Sequence, residues 1–597
     1  MEGHGGELAV AVARAHGVEA MFTLSGAHVF PLYDGAVKAD PPMPLIDVRH
    51  EQTAVFAAEA TAKLTRKPGL AVLTAGPGVT NGVSAVTSAH FNGVPVVVLG
   101  GRAPEFRWGS GALQELDHPP ILAPVTKSSA PVRPVAQTVP MVDEAFHLAT
   151  SPHRGPVFLD FPMDQLYSRA EAAIPSVTRP SGAVPDPDDL AAIAALLAEA
   201  SHPVLVLGSD VWTDGAEAAA VRLAESLGLP VITNGMGRGI LAGSHPLLVT
   251  RARGRAFGAA DLVIVVGTPL DFRLGYGVFG GKDGAPAAKV VHLADSPGQL
   301  ATHAALASSA SGDLTLLLDG IAAAWQQLLR RPVYASWAAG LRAEAEAAAA
   351  ADGALLGSES DPIHPARIYG ELIPRLADDA IVIGDGGDFV SFAGRFVEPR
   401  HPGGWLDPGP YGCLGTGLGY SIAARLARPS AQVVLLLGDG AAGFSLMDVD
   451  SLVRQHLPVV IVVGNNGMWG LEKHPMQFLY GYDVAAELSQ ETRYDDVVRA
   501  LGGGGETVSR PGGRLPADHD RCLRSAAPAS RSTRRSASSR SRRTAAVGCW
   551  STTTATPRLS RTSPAAPPWP RSTWRSTTAT ASSGPSPSAR TAPRTRR

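Results

Sequence analysis

The chain has 597 residues, 45% hydrophobic and 18% charged, which is room for about three to four domains and excludes a small disulfide scaffold, a collagen-like fibre and a wholly disordered protein. The formal net charge of −2 conceals an asymmetry: residues 514–597 hold 17 Arg, no Lys and two acids (Asp518 and Asp520), a net of +15, against −17 for residues 1–513. Three cysteines (Cys413, Cys522, Cys549) cannot staple a chain this long, which fits a reducing compartment.

The first residues, MEGHGGELAVAVARAHGVEAMF, read as an amphipathic helix without the basic region and apolar core of a signal peptide. No apolar run reaches the roughly 18 residues that span a bilayer. The expectation is a soluble, cytoplasmic protein with no membrane partner. Short buried strands then alternate with Ala-rich helices three times over, which argues for α/β domains with parallel sheets. The first cycle, residues 1–167, has strands at Leu70–Thr74, Val94–Leu99 and Val157–Phe161. A Pro-rich link (168–187) leads to a second cycle, 188–330, with strands at Val204–Leu207, Val231–Thr233, Leu262–Val266 and Val290–His292. A second link contains AEAEAAAAAD, read as an exposed helix. The third cycle, 363–513, has strands at Ala380–Ile383, Val433–Leu437 and Val459–Val463. Uninterrupted Val/Ile/Leu runs imply sheets covered on both faces, as in a doubly wound fold.

After Gly513 this grammar stops. Residues 514–597 are Arg, Ser, Thr, Pro and Ala with no Ile, Phe, Tyr, Met or Lys, a composition that does not bury a core. A disordered basic arm that binds nucleic acid is one reading. The favoured one is GC-rich coding DNA read in a shifted frame, which enriches these amino acids. No nucleic-acid partner is expected, and the strand position that this segment should supply is expected to be empty or irregularly filled.

The third cycle carries the sharpest chemical signal. The strand Val433–Leu437 ends in Gly438-Asp439-Gly440, and the next strand ends in Asn465-Asn466. Glycines at a strand-to-helix turn let backbone N–H groups approach a phosphate. Asp439 adds a carboxylate and Asn466 an amide oxygen, which with diphosphate oxygens and water make a magnesium site. In the first cycle the strand Leu45–Val48 runs into Arg49-His50-Glu51-Gln52 and an Ala-rich helix.

This pair of motifs resembles the thiamine diphosphate enzymes. AGPGVTNGVSAV (75–86), GGRAP (100–104), LQELDH (113–118) and GNNGMWGLEKHPM (464–476) narrow the resemblance, over about residues 5–512, to the acetolactate synthase group and its divergent bacterial members. The resemblance implies three domains, with 1–167 binding the cofactor's pyrimidine, 188–330 central, and 363–513 binding diphosphate and magnesium. It implies a homodimer or homotetramer whose sites lie between chains, with Glu51 of one facing Asp439 of the other. In such enzymes the Glu at the position of Glu51 bonds the aminopyrimidine and drives the cofactor's activation, a proton relay that a carboxylate in an apolar cleft can perform. The backbone carbonyl of Met468 becomes the third metal ligand. Gln114 and Lys127 match positions beside the substrate, and Arg273 matches an Arg that meets a substrate carboxylate or a flavin. Whether FAD binds stays open.

Departures from the group fall on the acceptor pocket. A Phe is replaced by Leu113, the Gly-Gly pair is Gly26-Ala27 followed by His28, and a Trp is replaced by His474. The Met that bends the cofactor has Leu414 or Leu418 as its counterpart. A Gln-His pair is replaced by Asp388-Phe389, leaving Gly387 as a backbone contact. His28 itself resembles the His of benzaldehyde lyase and the 2-hydroxyacyl lyases, where it handles protons, a role suited to a group that titrates near neutrality. The resemblance implies decarboxylation of a 2-ketoacid such as pyruvate and carboligation to an acetohydroxyacid, a step in branched-chain amino acid biosynthesis. The rivals are a 2-hydroxyacyl lyase and, from another class, a catalytically impaired binding or regulatory chain.

Overall fold

The computed structural model describes residues 1–178, 180–281, 286–511 and the backbone of 546–551. The chain divides into Met1–Thr554 and Ala555–Arg597, and all described residues lie in the first unit. That unit contains three parallel sheets with helices on both faces.

The N-terminal part opens with β1 (Glu2–His4) and continues with β2 (Met21–Thr23), β3 (Leu45–Asp47), β4 (Gly69–Leu73), β5 (Val96–Arg102), β6 (Ser128–Pro131), β7 (Val157–Pro162) and β8 (Arg169–Glu171). Its main sheet has the order β3-β2-β4-β5-β7-β6, parallel throughout. β1 and β8 form a separate antiparallel clip, which carries this part to Glu171. Because side chains alternate along a strand, Leu70, Val72, Val97 and Leu99 join the core under the helices Gly5–Ala15 and Thr138–Thr150. Ala71, Leu73, Val96 and Val98 turn the other way, toward the helices Glu51–Thr65 and Pro77–Phe91. Both cores are therefore written in the same apolar runs.

The central sheet comprises β9 (Pro203–Leu207), β10 (Val231–Thr233), β11 (Leu262–Val266), β12 (Lys289–Ala294) and β13 (Ser308–Ser311), in the order β10-β9-β11-β12-β13. The Ala-rich segment of the second link is helical as expected, within Ala335–Leu356, though Ala338, Leu341 and Ala345 bury one stripe of it.

The third sheet comprises β14 (Ile381–Asp385), β15 (Trp405–Leu406), β16 (Val433–Gly438), β17 (Val460–Asn465), β18 (Gly504–Val508) and β19 (Ala546–Ser551). Its order is β15-β14-β16-β17-β19-β18. Here one expectation fails. The strand position beyond β17 is filled by a regular six-residue strand, β19, parallel to both β17 and β18. The physical reason is local: Ala-Val-Gly-Cys-Trp is an apolar run inside the Arg/Ser/Thr tail, and the open edge of β17 offers a row of N–H and C=O groups that demand partners. The rest of the tail lies outside the described residues.

A buried polar cluster clamps the first sheet's helix layer to the third. The Lys63 ammonium sits 2.9 Å from the Glu59 carboxylate and donates to the Tyr420 hydroxyl at 2.8 Å. Asn92 donates to the same Glu59 oxygen at 2.8 Å. One Glu59 oxygen carries the Lys63 and Asn92 contacts while Oε2 is buried without a partner among the described residues, so the pair's desolvation is only partly offset. This clamp fixes the Glu51–Thr65 helix against Thr416–Ala427.

Candidate active site

Four loops at the carboxyl ends of the first sheet's strands interlock around Thr74. Gly26 lies so close that an added Cβ would sit 2.2 Å from the Thr74 Cβ, and the His28 ring shares a 3.3 Å hydrogen bond with the Thr74 hydroxyl. Gly78 also abuts Thr74, and a Cβ there would lie 3.7 Å from a Glu51 carboxylate oxygen. Gly76 takes a positive φ of 61° and faces Gln114, itself at φ 59°. Glu51 opens its helix 6% exposed, and its carboxylate accepts from the Asn81 amide at 3.0 Å. Burial lowers the pKa of His28 below its ordinary value. So the structure brings Gly26, His28 and Gly78 against Thr74, with Glu51 beside Gly78, Gln114 beside Gly76, and Ala27 exposed between Gly26 and His28.

A buried brace holds this arrangement from behind. His118 accepts the Gly76 N–H at 2.9 Å and is fixed on its other nitrogen by Asp160 at 3.0 Å. Asp160 in turn meets Arg102 at 2.7 Å. Sequence reasoning missed Thr74, Asn81, His118 and Asp160. LQELDH and the GPG turn were visible, but nothing local says that the first ends under the second.

The third sheet supplies a second half-site of different construction. β16 and β17 are adjacent and parallel, so the turns after them, Gly438–Gly440 and Asn465–Met468, lie side by side. Asp439 is buried and accepts the Gly467 N–H at 2.9 Å. Asn466 turns back to accept the Met468 N–H at 3.1 Å. Burial drives the Asp439 carboxyl up to about 6, against the opposing backbone donors. The Trp469 ring closes over Gly440, where an added Cβ would meet it at 2.4 Å. One strand over, fully buried Asp385 accepts the N–H groups of Gly415 and Gly417 at 3.1 and 2.9 Å, and burial lifts its carboxyl to about 7. Gly387 follows under Leu471. Of the two leucines weighed as counterparts of a Met, Leu418 is 0% exposed core, whereas Leu414 is half-buried beside Gly415.

Family models match all three parts of the chain. Models described as the N-terminal TPP binding domain, the central domain and the C-terminal TPP binding domain of thiamine pyrophosphate enzymes match residues 3–121, 190–321 and 385–532. The chain belongs to the thiamine pyrophosphate enzyme family. Among its relatives in this family are the probable acetolactate synthase of Mycobacterium bovis and the acetolactate synthase large subunit IlvG of Mycobacterium tuberculosis. Each is 47% identical over 520 residues, 86% of this chain and 92% of the relative. The 2-hydroxyacyl-CoA lyase 2 of Caenorhabditis elegans is 34% identical over 550 residues, 85% of this chain and 84% of the relative.

Within this thiamine pyrophosphate enzyme the remaining sequence-derived residues fall in different places. Leu113 stands 78% exposed beside Gln114, and its backbone bonds the His28 ring. His474 is exposed on the helix Gly470–Tyr480. Lys127 donates to the Ser151 and His153 carbonyls and the Ser151 hydroxyl at 2.7–2.9 Å, so its ammonium is committed to that loop. Burial lowers it to about 8. Arg273 grips Asp271 through two nitrogens at 2.7–3.1 Å on the central domain. Neither cation is grouped with His28 and Glu51.

Proposed function

We propose that this chain catalyses the magnesium-dependent, thiamine diphosphate-dependent decarboxylation of a 2-ketoacid such as pyruvate and its carboligation to an acetohydroxyacid. The observation that carries the reading is the pair of half-sites, one built for a proton and one for a diphosphate with its metal, in a chain 47% identical to acetolactate synthases. When bound, thiamine diphosphate supplies the electron sink for the reaction.

The protein's part is orientation and proton control. Asn81 holds the Glu51 carboxylate at the start of its helix, where it exchanges a proton with a ring nitrogen of the cofactor. The neutral His28 ring, backed by Thr74, accepts and returns a proton at the substrate's oxygen. Gln114 orients that substrate, with Gly26, Ala27 and Leu113 shaping the space around it and His474 bordering the entrance. Asp439, Asn466 and the Met468 carbonyl would hold the magnesium; a carboxyl lifted to about 6 by burial would gain from a divalent cation, and three oxygens would leave room for phosphate and water. Gly387, Gly438 and Gly440 would give backbone access to the diphosphate, and Leu414 would be the apolar contact for the cofactor.

A flavin does not enter this reading. In the crevice at the carboxyl ends of β9, β11 and β12, where a dinucleotide would sit, Asp210 is driven up to about 7 by burial. Asp295 pairs with His153 at 2.9 Å, and Asp214 pairs with Arg154. Arg273, His153 and His292 line the same crevice, so its carboxylates are matched by basic groups. The exposed apolar residues Phe478, Leu479, Tyr480 and Tyr482 support a homodimer or homotetramer with sites between chains. Among the described residues no helix is long and apolar enough to cross a membrane, and a cytoplasmic location completes the reading.

A 2-hydroxyacyl lyase is the second reading, favoured by His28 following Gly26-Ala27 and by the lyase relatives. Labelled pyruvate, offered to the purified chain with both cofactors, separates them. Carbon dioxide and acetolactate are expected. Cleavage of a 2-hydroxyacyl substrate without pyruvate consumption selects the lyase, and bound cofactor with neither reaction selects a binding chain.

A further inference from the structure

We propose that His16, Asp143 and His147 form a zinc site in the outer helical layer of the N-terminal domain. His16 follows directly on the helix Gly5–Ala15, whereas Asp143 and His147 sit one turn apart on Thr138–Thr150. His16 Nε2 lies 2.7 Å and His147 Nε2 3.7 Å from the same Asp143 oxygen, and all three ligand atoms fall within 4.8 Å of one another. Zinc binds imidazole nitrogen at about 2.0–2.1 Å and carboxylate oxygen at about 2.0–2.2 Å, so neighbouring donors in a tetrahedral site stand roughly 3.3–3.5 Å apart. The two measured pairs bracket that spacing, and movements of about 0.6–0.8 Å for the first and about 0.2–0.4 Å for the second bring both to it.

The surroundings already hold the donors in place. The His16 ring stacks on Phe146 at 5.0 Å between centroids and meets the His147 ring edge-on at 4.9 Å. Its side chain is 3% exposed, whereas Asp143 and His147 are 25% and 33% exposed. The site is thus anchored on its inner side and open on its outer side, which leaves a fourth position for water. Two imidazoles and one carboxylate suit zinc better than magnesium or calcium, which favour all-oxygen shells. The cluster lies on the face of the first sheet opposite the Glu51 helix, so the ion would staple two helices and take no part in the reaction.

The test uses the full chain, freed of metals by chelation and then loaded with thiamine diphosphate and excess magnesium. Calorimetric titration with zinc should show one ion per chain, about tenfold or more weaker in His147→Ala and Asp143→Asn. Carboligation by these variants should be unchanged. Cobalt in place of zinc should give the strong visible absorption of a tetrahedral site. Zinc bound equally well by both variants, or lost only in Asp439→Ala, would overturn the site, as would a chain that binds no zinc at all.

Discussion

The two half-sites are built by opposite means. Around Thr74, glycines and a histidine fit a tight space, and the loops are held by that contact together with the His118–Asp160 brace. At the ends of β14 and β16, two buried carboxylates, Asp385 and Asp439, are held almost entirely by backbone N–H groups, and burial raises both to about 7 and 6. The first construction suits positioning a ring and moving one proton, because small errors in shape are penalised. The second suits charge: amides organise the turn and leave a carboxylate whose desolvation is offset once a cation arrives.

The comparison can be broken most severely at the charged half. Asp439→Ala should abolish magnesium-dependent binding of thiamine diphosphate while leaving the fold intact, and unchanged affinity by calorimetry would remove the metal assignment. At the packed half, His28→Gln should lower turnover by roughly 100-fold or more, the worth of a positioned acid–base group. Because burial lowers the His28 pKa below its ordinary value, the wild-type ring takes up its proton only at a more acidic pH than a free imidazole does. The rate should therefore fall on the acid side of that value, and the limb should vanish in His28→Gln; a limb that survives belongs to another group. Gly26→Ala drives a Cβ into Thr74 and should cost about 1–3 kcal/mol in overpacking, read as a lower denaturation midpoint, whereas the same change at Gly438, where a Cβ meets nothing within 4 Å, should cost far less. The smallest effect concerns the third sheet's completeness. Amide exchange at Val547–Trp550 should be slow if β19 sits between β17 and β18, and fast exchange would return the tail to the shifted-frame reading. Nucleotides around codon 513 bear on that proposal independently.

Much of this was legible in the sequence, for reasons that differ by region. Strands such as Leu262–Val266 and Val231–Thr233 carry their apolar pattern locally, and both were read with their observed bounds. The Gly438–Gly440 and Asn465–Asn466 turns were legible because adjacent parallel strands bring their carboxyl ends together by necessity. Residues whose meaning lies in a distant partner were not. Asp448 accepts from Thr53, 395 positions away, at 2.7 Å, and Asn81 reaches Glu51 across 30; no spacing rule connects either pair. β19 was missed for another reason, since the composition of 84 residues hid one apolar run of five.

The most direct test of this division of labour is made on Glu51→Gln. Affinity for thiamine diphosphate and magnesium is measured by calorimetry, and exchange of the cofactor's reactive ring proton for deuterium is followed by NMR on the same sample. An amide keeps the shape, and its carbonyl oxygen can still accept the hydrogen bond from Asn81, but it cannot relay a proton. The account predicts near-normal affinity with exchange and turnover slowed by roughly 100- to 10,000-fold. Exchange at the wild-type rate in Glu51→Gln would contradict it.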